Sequence, residues 1–311
     1  MGLEVVPLDT KSASDAPRWL VSTSWHMLGH RPPHLGAFSR RVVDICRAHR
    51  PDVLLTTGSA PIRANALREI ASLGVRRLNY STDDPWSKVQ RSRWLFDSLL
   101  EYDTIFSPRR ANLADLRALD RPTVQYLPFA FDPALHYPRR TEKIEDSIAS
   151  EVLFVGGADP DRVAILRGLV DEGFDLALYG GYWDRYPTTK RAARGIASPD
   201  IIREATYAAA VCLCLVRKSN RDGHVMRSFE IPALGGCMLI EDTEEHRAMF
   251  GDEAQAVLYF RDAVELSTKL RWLLSHPSQR ATLSSVAARQ VATQENTYQA
   301  RLAAMLADCS S

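Results

Sequence analysis

The chain has 311 residues, of which 45% are hydrophobic and 25% are charged, with 39 Lys and Arg against 38 Asp and Glu. This length suits two domains of about 150 residues each, and the ordinary composition excludes disordered and fibrous proteins. A net charge of +1 excludes a nucleic acid or an anionic membrane as a partner recognised by bulk charge. No apolar run approaches the ~18 residues of a membrane span, and the N-terminus lacks a basic-then-apolar signal pattern.

The first predicted element is anomalous. Residues 1–8 read as the second strand of a nucleotide-binding-type domain, as if the usual first strand, its glycine loop and the first helix were absent. Three histidines follow at a spacing of four, His26, His30 and His34. A metal site at this spacing needs a helix, which the two prolines before His34 disfavour, so we expect loop histidines and no metal.

From about residue 40, short β-rich runs alternate with amphipathic stretches, which is typical of helices packed on a parallel sheet. The predicted strands are Val53–Thr56, Arg77–Tyr80, Thr104–Phe106 and Val124–Leu127. The predicted helices are Arg41–Ala48, Ile62–Ser72, Val89–Leu100 and Ala111–Leu119, with a C-cap at Gly74. These elements predict one doubly wound domain.

Residues 132–150 carry two prolines and no apolar period, so they predict a linker or a long surface excursion. The alternation then restarts. The predicted strands are Val152–Val155, Leu176–Tyr179, Val211–Val216, Met238–Ile240 and Val257–Phe260. The predicted helices are Arg162–Val170, Ile201–Ala209, Met226–Leu234 and Ala263–Leu274, followed by 279–290 and 297–306. This is a second domain.

The five cysteines are Cys46, Cys212, Cys214, Cys237 and Cys309. They are odd in number and mostly lie in apolar runs, which is typical of small core side chains in a reducing cytoplasm. The two on one strand share a face, but no second pair follows them, so we expect no zinc site.

Two glycine turns follow predicted strands of the second domain. Gly156-Gly157 comes directly after Val155, at the end of a strand where open parallel sheets bind ligands, and glycine there lets a sugar or phosphate approach the backbone. No GxGxxG pattern is present, which argues against a dinucleotide dehydrogenase. The next turn precedes Tyr182 and Trp183, whose rings could flank a nucleobase or plug the domain surface.

Four cations follow the strand that starts at Val211: Arg217, Lys218, Arg221 and Arg227. They lie where we predict that a diphosphate binds, at the end of this strand. Fixed cations there would neutralise a leaving nucleoside diphosphate in place of a divalent ion. Arg162, after the first glycine turn, is a lesser candidate for the same role. The alternative is a solvated basic loop.

Two acids separated by seven residues follow, Asp222 and Glu230. Glu230 lies on a predicted helix whose start presents free N–H groups to a diphosphate, and a carboxylate one turn further in can accept both hydroxyls of a ribose. The alternative is a helix N-cap at Asp222 and a solvated Glu230.

In the first domain, Asp83-Asp84-Pro85 follows a strand at the ligand-binding edge, where a carboxylate could activate an acceptor. The adjacent carboxylates do not form the Asp-x-Asp metal motif. The alternative is a turn with an Asp as helix cap.

The segment from Arg227 to Asp242 resembles the donor-binding motif of glycosyltransferases of the GT-B fold, in which two acids separated by seven residues grip the donor sugar and the ribose. Its Arg-x-Phe-Glu, Gly-Gly and strand pattern most resembles the spore-maturation-protein (CgeB-like) branch of the glycosyl transferases group 1 family. Residues 78–86 resemble that branch's Asp-Asp-Pro segment, and 124–133 resemble its strand and turn before the linker. The resemblance covers roughly residues 40 to 305. Many relatives have Glu where this chain has Asp222.

The resemblance implies an α/β chain of the GT-B fold, with two Rossmann-like doubly wound domains facing a cleft and the N-terminal one lacking its first strand. The expected parts are an acceptor-side domain (1–135), a linker (136–150), a donor-binding domain (151–295) and a terminal helix returning to the N-terminal domain (296–311).

The resemblance further implies a cytoplasmic, retaining, metal-independent hexosyltransferase of class EC 2.4. It would use no cofactor, only a nucleoside-diphosphate sugar as donor, and its acceptor would be a glycan, a protein or a small molecule. Glu230 would hold the ribose, Asp222 the donor sugar, and Arg217, Lys218 and Arg227 the diphosphate. Two alternatives stay open: a nucleotide-sugar epimerase of the same fold, and a non-catalytic sugar-binding or assembly protein.

Overall fold

A computed structural model describes residues 2–139 and 148–307. These residues cluster into two compact units. One contains the described residues up to Pro128, with Ser219–Arg221 and Ala307, and the other contains the described residues of Phe129–Lys218 and Asp222–Leu306. The predicted domain boundaries stay a prediction. Residues 140–147 of the predicted linker and residues 308–311, with Cys309, lie outside the described residues.

The first unit contains a parallel sheet of four strands whose spatial order follows the chain. The strands are β1 (Val53–Thr57), β2 (Arg76–Tyr80), β3 (Thr104–Ser107) and β4 (Thr123–Tyr126). The helices are α1 (Arg18–Met27), α2 (Leu35–His49), α3 (Ala64–Ser72), α4 (Arg93–Leu99) and α5 (Leu113–Arg117).

The core of this unit forms where helix stripes meet the sheet. Phe38, Val42 and Cys46 recur at every fourth residue of α2 and are all buried. They share one hydrophobic cluster with Ile70 of α3 and Ile105 of β3. This packing holds α2 and α3 against the sheet.

The second unit contains a parallel sheet of six strands in the order β10-β9-β8-β5-β6-β7. The strands are β5 (Val152–Val155), β6 (Leu176–Tyr179), β7 (Ala193–Gly195), β8 (Val211–Cys214), β9 (Met238–Glu241) and β10 (Leu258–Phe260). The helices are α6 (Pro160–Asp171), α7 (Pro199–Ala208), α8 (Arg227–Ala233), α9 (Glu244–Phe250), α10 (Ala263–Ser275), α11 (Pro277–Val291) and α12 (Tyr298–Ala307).

The strand order of the second unit reverses direction between β5 and β8. These two strands are neighbours in the sheet, with Val152 opposite Val211, although β6 and β7 lie between them in the chain. This is the 3-2-1-4-5-6 order of doubly wound folds, which bind ligands outside the carboxyl ends of the strands at the point of reversal. The loops after β5 and β8 are therefore where we expect a ligand.

The strand expected at residues 1–8 is wrong for the described residues from Gly2 onward, which form no strand. The side chains of Leu3, Val5 and Val6 are exposed, whereas Leu8 packs against the core of the first unit. In the described part of the chain β1, at the edge of the sheet, pairs with β2 alone, so this apolar run has no neighbouring strand to pair with.

The expectation of a loop at His26 is also wrong, because this residue lies on α1. Pro17 stands at the helix N-cap, where its ring is tolerated, and the helix C-cap is Leu28, before Pro32 and Pro33. Prolines at these positions flank the helix and do not interrupt it.

Candidate donor-binding site

The Arg162 guanidinium joins the two loops at the point where the strand order reverses. It lies on the first turn of α6, and its Nη1 and Nη2 donate to the carbonyl oxygens of Gly157, after β5, and Leu215, after β8, at 3.2 and 3.3 Å. Its side chain is 7% exposed and forms an ion pair with Asp159, the N-cap of α6. Arg162, predicted as a lesser phosphate ligand, thus also holds the two loops together.

Buried charges of both signs meet around Arg162. Burial lowers the pKa of this guanidinium, the carboxylate of Asp159 opposes that shift, and the charge of Arg217 adds to it. The charge of Asp222 also acts on it. Several residues predicted for the donor site therefore share one electrostatic environment.

The glycine turn after β5 is packed closely against the next loop. The Gly156 carbonyl accepts a hydrogen bond from Trp183 Nε1 at 2.7 Å, and a Cβ added to Gly180 would lie 2.3 Å from the same oxygen. Trp183 is buried in the core, so it plugs the domain, whereas Tyr182 is 56% exposed. Among the described residues, the N–H of Gly157 has no hydrogen-bond partner, so it remains available as a donor.

Helix α8 places Arg227 against β5. The Arg227 Nε donates to the Val155 carbonyl oxygen at 3.3 Å, and the guanidinium forms an ion pair with Glu230 one turn further on. Burial lowers the pKa of Arg227. The expected free N–H groups at the helix start are wrong for Ser228 and Phe229, each of which donates to the carbonyl oxygen three residues earlier. In the described part of the chain the N–H groups of Met226 and Arg227 have no partner, so they and the side chains of α8 are the available anion ligands.

Glu230 is 5% exposed, and a histidine that the sequence did not point to lies beside it. Its Oε1 is 3.7 Å from His136 Nε2, while its Oε2 faces Arg227. Burial, and to a smaller extent the charge of Arg227, lower the pKa of His136. The alternative of a solvated Glu230 is therefore wrong, because a buried carboxylate held between a cation and an imidazole is a fixed acceptor.

Asp222 closes a tight loop after β8. Its Oδ2 accepts the Arg217 N–H at 3.3 Å, and its own N–H donates to the Arg217 carbonyl oxygen at 3.3 Å. Helix α8 begins five residues later, at Arg227, so the alternative of Asp222 as its N-cap is wrong. The loop places Asp222 and Arg217 side by side at the end of β8.

The predicted cations differ in what they contact. In the described ranges, the half-buried Arg217 guanidinium has neither a hydrogen bond nor an ion pair. Lys218 Nζ is exposed and lies 3.9 Å from Oε1 of Glu241, the last residue of β9. Burial raises the pKa of Glu241, and its Oε2 accepts the Val216 N–H at 3.0 Å. Glu241 was missed, although a carboxylate at the end of a buried strand signals this edge.

Two buried histidines stabilise the framework of the site. His224 Nε2 accepts the Phe129 N–H at 3.2 Å, so its proton is on Nδ1, which donates to Glu245 at 2.7 Å. His246 Nδ1 donates to the Glu241 carbonyl oxygen, and its Nε2 accepts the Ser228 hydroxyl, both at 2.8 Å. Both nitrogens of each ring are occupied, so neither histidine is free for proton transfer.

Asp83 and Asp84 belong to the first unit. Asp84 is 1% exposed, its Oδ1 accepts the Trp86 N–H at 2.9 Å, and its two oxygens accept from Arg221 at 2.6 and 3.1 Å. Arg221 clusters with this unit and also pairs with Asp115, so it is not a free phosphate ligand. These contacts support the turn alternative for Asp84, while the half-buried Asp83 has a carboxylate oxygen near Gly58.

The described residues contain no group of three or more His, Cys, Asp or Glu side chains placed to hold a metal ion. Within residues 2–139 and 148–307, no helix is both long enough and apolar enough to cross a membrane.

The model of the family described as "Glycosyl transferase-like" matches residues 162–307, a little under half of the chain and most of the second unit. No curated protein matches the sequence. Sucrose-phosphate synthase from Thermosynechococcus elongatus matches 88% of this chain and 77% of its own with a TM-score of 0.66 and 13% identity.

Two further solved structures bear on the fold. Anabaena Alr3699/HepE in complex with UDP-glucose matches 88% of this chain and 81% of its own, with a TM-score of 0.63 and 11% identity. A Listeria monocytogenes structure assigned as a UDP-N-acetylglucosamine 2-epimerase matches 90% of this chain and 79% of its own chain, with a TM-score of 0.54 and 12% identity. At these identities the likeness concerns architecture: the protein has the GT-B fold, with two Rossmann-like parallel-sheet domains.

Proposed function

We propose that the protein transfers a sugar from a nucleoside-diphosphate sugar to an acceptor. The observation that carries the proposal is the convergence of Arg217, Asp222, Arg227 and Glu230 on the loops where the strand order reverses. The family match over 162–307 covers all four residues. A solved structure of the same fold is a complex with UDP-glucose, which supports a nucleotide sugar as the donor.

Each residue has a proposed role. Glu230, fixed between Arg227 and His136, accepts the ribose hydroxyls, and Asp222 binds the donor sugar. Arg217, Lys218 and Arg227 bind the diphosphate, and the N–H of Gly157 adds a backbone donor. Gly156 keeps the turn close to the next loop, and Arg162 holds the two loops in place.

The chemistry follows from these charges. Departure of a nucleoside diphosphate leaves negative charge on its terminal phosphate, and cations fixed in a partly buried site stabilise that charge without a divalent ion. We therefore propose a metal-independent hexosyltransferase of class EC 2.4 that needs no cofactor. Retention of configuration, the CgeB-like branch and a cytoplasmic location remain part of the proposal on the strength of the sequence resemblance.

The acceptor is proposed to bind to the first unit, with Asp83 as the carboxylate that contacts its hydroxyl. Asp84 was predicted for the same role, but Arg221 and the Trp86 N–H already occupy its oxygens. Asp83 is half-buried and follows β2 at the carboxyl edge of the sheet. We propose a glycan, a protein or a small molecule as the acceptor.

The epimerase alternative needs an internal acid/base pair. The two fully buried histidines of the second unit do not supply it, because hydrogen bonds occupy all four of their ring nitrogens. The second alternative, a non-catalytic sugar-binding or assembly protein, would keep the donor contacts and lack turnover.

The test is product analysis with the full chain. The protein is incubated without metal with UDP-, GDP-, ADP- and TDP-sugars and a panel of acceptors, and the products are separated by mass and by sugar configuration. Release of the nucleoside diphosphate with a new glycoside supports the proposal. An isomerised nucleotide sugar would establish the epimerase, and saturable binding without any product would establish the non-catalytic alternative.

A further inference from the structure

Three arginines of the first unit, Arg31, Arg40 and Arg63, form a cluster that we call the arginine cluster. Arg63 is the residue directly before α3 and follows the loop that leaves the carboxyl end of β1. Its N–H donates to Ser39 Oγ of α2 at 3.0 Å. Only three residues connect the end of α2 to the start of β1, so the start of α2 lies on the side of the carboxyl end of β1. The bond between Arg63 and Ser39 therefore brings the starts of α2 and α3 together at the carboxyl edge of the sheet.

The guanidinium of Arg63 packs over the first turn of α2. A Cβ added to Gly36 would lie 3.1 Å from Nη2 and 3.2 Å from Cζ of Arg63. Arg40 lies four residues after Gly36, so it shares that face of the helix. Arg31 precedes the same helix by four residues.

The cluster lacks compensating carboxylates. Burial, and to a smaller extent the charges of Arg31 and Arg40, lower the pKa of Arg63, so both neighbouring cations act on this guanidinium. Among the described residues, none of their guanidiniums has a hydrogen bond or an ion pair. Residues 17–43 contain no Asp or Glu. Arg47, Arg68 and Arg77 of the same unit, by contrast, each pair with a carboxylate.

Two helix starts add to the positive potential. Helix α2 has 15 residues and α3 has nine, and neither N-cap residue, His34 or Arg63, makes a side-chain capping hydrogen bond. Uncapped helix starts leave N–H groups and partial positive charge, which favour an anion. Like charges held together without a partner destabilise the folded chain until an anion binds between them.

We propose that Arg31, Arg40 and Arg63 bind the phosphate group of a phosphorylated small molecule. Planar guanidiniums match phosphate oxygens by paired N–H donors, and a phosphate dianion offsets more of the repulsion than a carboxylate does. Phosphate binding by these arginines does not depend on whether the protein is an enzyme. That the phosphorylated molecule is the acceptor of the transfer reaction rests on the proposed function.

The test is a thermal-shift and calorimetric titration of the full chain with inorganic phosphate, a hexose 6-phosphate and the same hexose without phosphate. Wild type is compared with Arg40→Gln, Arg63→Gln and a matched control, Arg41→Gln. Arg41 follows Arg40 on α2 and its side chain is exposed. We expect both phosphates to bind wild type and the control, and affinity to fall at least about tenfold in the two cluster variants. The unphosphorylated hexose should not bind at this site.

Stability without ligand gives a second readout. Because Arg40 is exposed and repels its neighbours, Arg40→Gln should melt no lower than wild type in phosphate-free buffer while losing the phosphate-induced shift. Absence of phosphate binding, or an equal loss in Arg41→Gln, overturns the cluster as a site. Binding of nucleoside-diphosphate sugars is measured on the same proteins. If phosphate binds and no nucleotide sugar does, the proposed transferase is wrong and the phosphate site at the arginine cluster is kept. If a nucleotide sugar binds and phosphate does not, only the phosphate site is wrong.

Discussion

The Nε2 atom of His136 lies 3.7 Å from Oε1 of Glu230. The other ring nitrogen, Nδ1, lies 3.0 Å from the Asp132 amide nitrogen and 3.1 Å from the Asp132 carbonyl oxygen, which anchors the ring with Nε2 facing the carboxylate. The turn that holds the ring is fixed by Asp132, whose Oδ1 accepts the Ala134 N–H at 2.9 Å. His136 is thus positioned to orient Glu230.

His136→Gln should weaken donor binding about three- to tenfold, less than Glu230→Gln, because the imidazole orients the carboxylate without contacting the ligand. The two changes should be non-additive, since the histidine acts through the carboxylate. Titration of wild type, both single variants and the double variant measures this coupling. Additive losses would show that His136 does not act through Glu230.

Arg217→Ala should reduce donor affinity at least about tenfold and leave the melting temperature within about 2 °C of wild type, because this guanidinium has no partner in the described part of the chain. Arg162→Ala should lower both the donor affinity and the melting temperature, because two loop carbonyl oxygens lose their hydrogen-bond donor. Arg167→Ala, an exposed change on α6, is the control and should alter neither. Unchanged donor affinity in Arg217→Ala would remove this residue from the site.

Gly180→Ala should destabilise the protein by more than about 2 kcal/mol. The residue has a φ of +137°, and its new Cβ would lie 2.3 Å from the Gly156 carbonyl oxygen. Gly168→Ala on α6 is the matched control: its Cβ meets no atom within 4 Å, so it should be neutral or stabilise by up to about 1 kcal/mol. Urea unfolding compares the two, and equal stabilities would contradict the close approach of the two glycine loops.

The free energy of unfolding should depend on pH through His246. Burial lowers the pKa of the folded ring to about 4, whereas an unfolded histidine titrates near ~6.5. Between these values the unfolded chain binds more protons, so stability falls as the pH drops from about 6.5 towards 4, by roughly 3 kcal/mol at most. His246→Gln should flatten that part of the profile, and the exposed control His26→Gln should keep it. Parallel profiles for all three proteins would exclude His246 as the source.

The alternation of apolar runs and amphipathic stretches from residue 40 onward located nine of the ten predicted strands, with ends within two residues of those observed, whereas the strand expected at residues 1–8 is absent from the described residues. Buried parallel strands are short apolar runs, which makes them visible in one sequence. β7 was missed because its three residues, Ala-Arg-Gly, carry no such run. Helix α9 was missed because its seven residues include four charged or histidine side chains and give little apolar periodicity.

The candidate site was predictable only where its residues are close in sequence. Asp222, Arg227 and Glu230 could be grouped because they lie within nine positions on one loop and helix. His136 lies 94 positions before Glu230, and only the folded chain brings the two together. The framework role of Arg162 was equally hidden, because its partners are backbone carbonyls, which carry no sequence signature.

The most direct test of the central claim is an equilibrium titration of the full chain with the panel of nucleoside-diphosphate sugars in metal-free buffer, repeated with Glu230→Gln. We predict saturable binding of one nucleotide class and a dissociation constant at least about tenfold higher in the variant, the loss of one charged hydrogen bond. No binding by the wild type, or equal binding by a folded Glu230→Gln protein, would contradict the assignment of this site to a nucleotide-sugar donor.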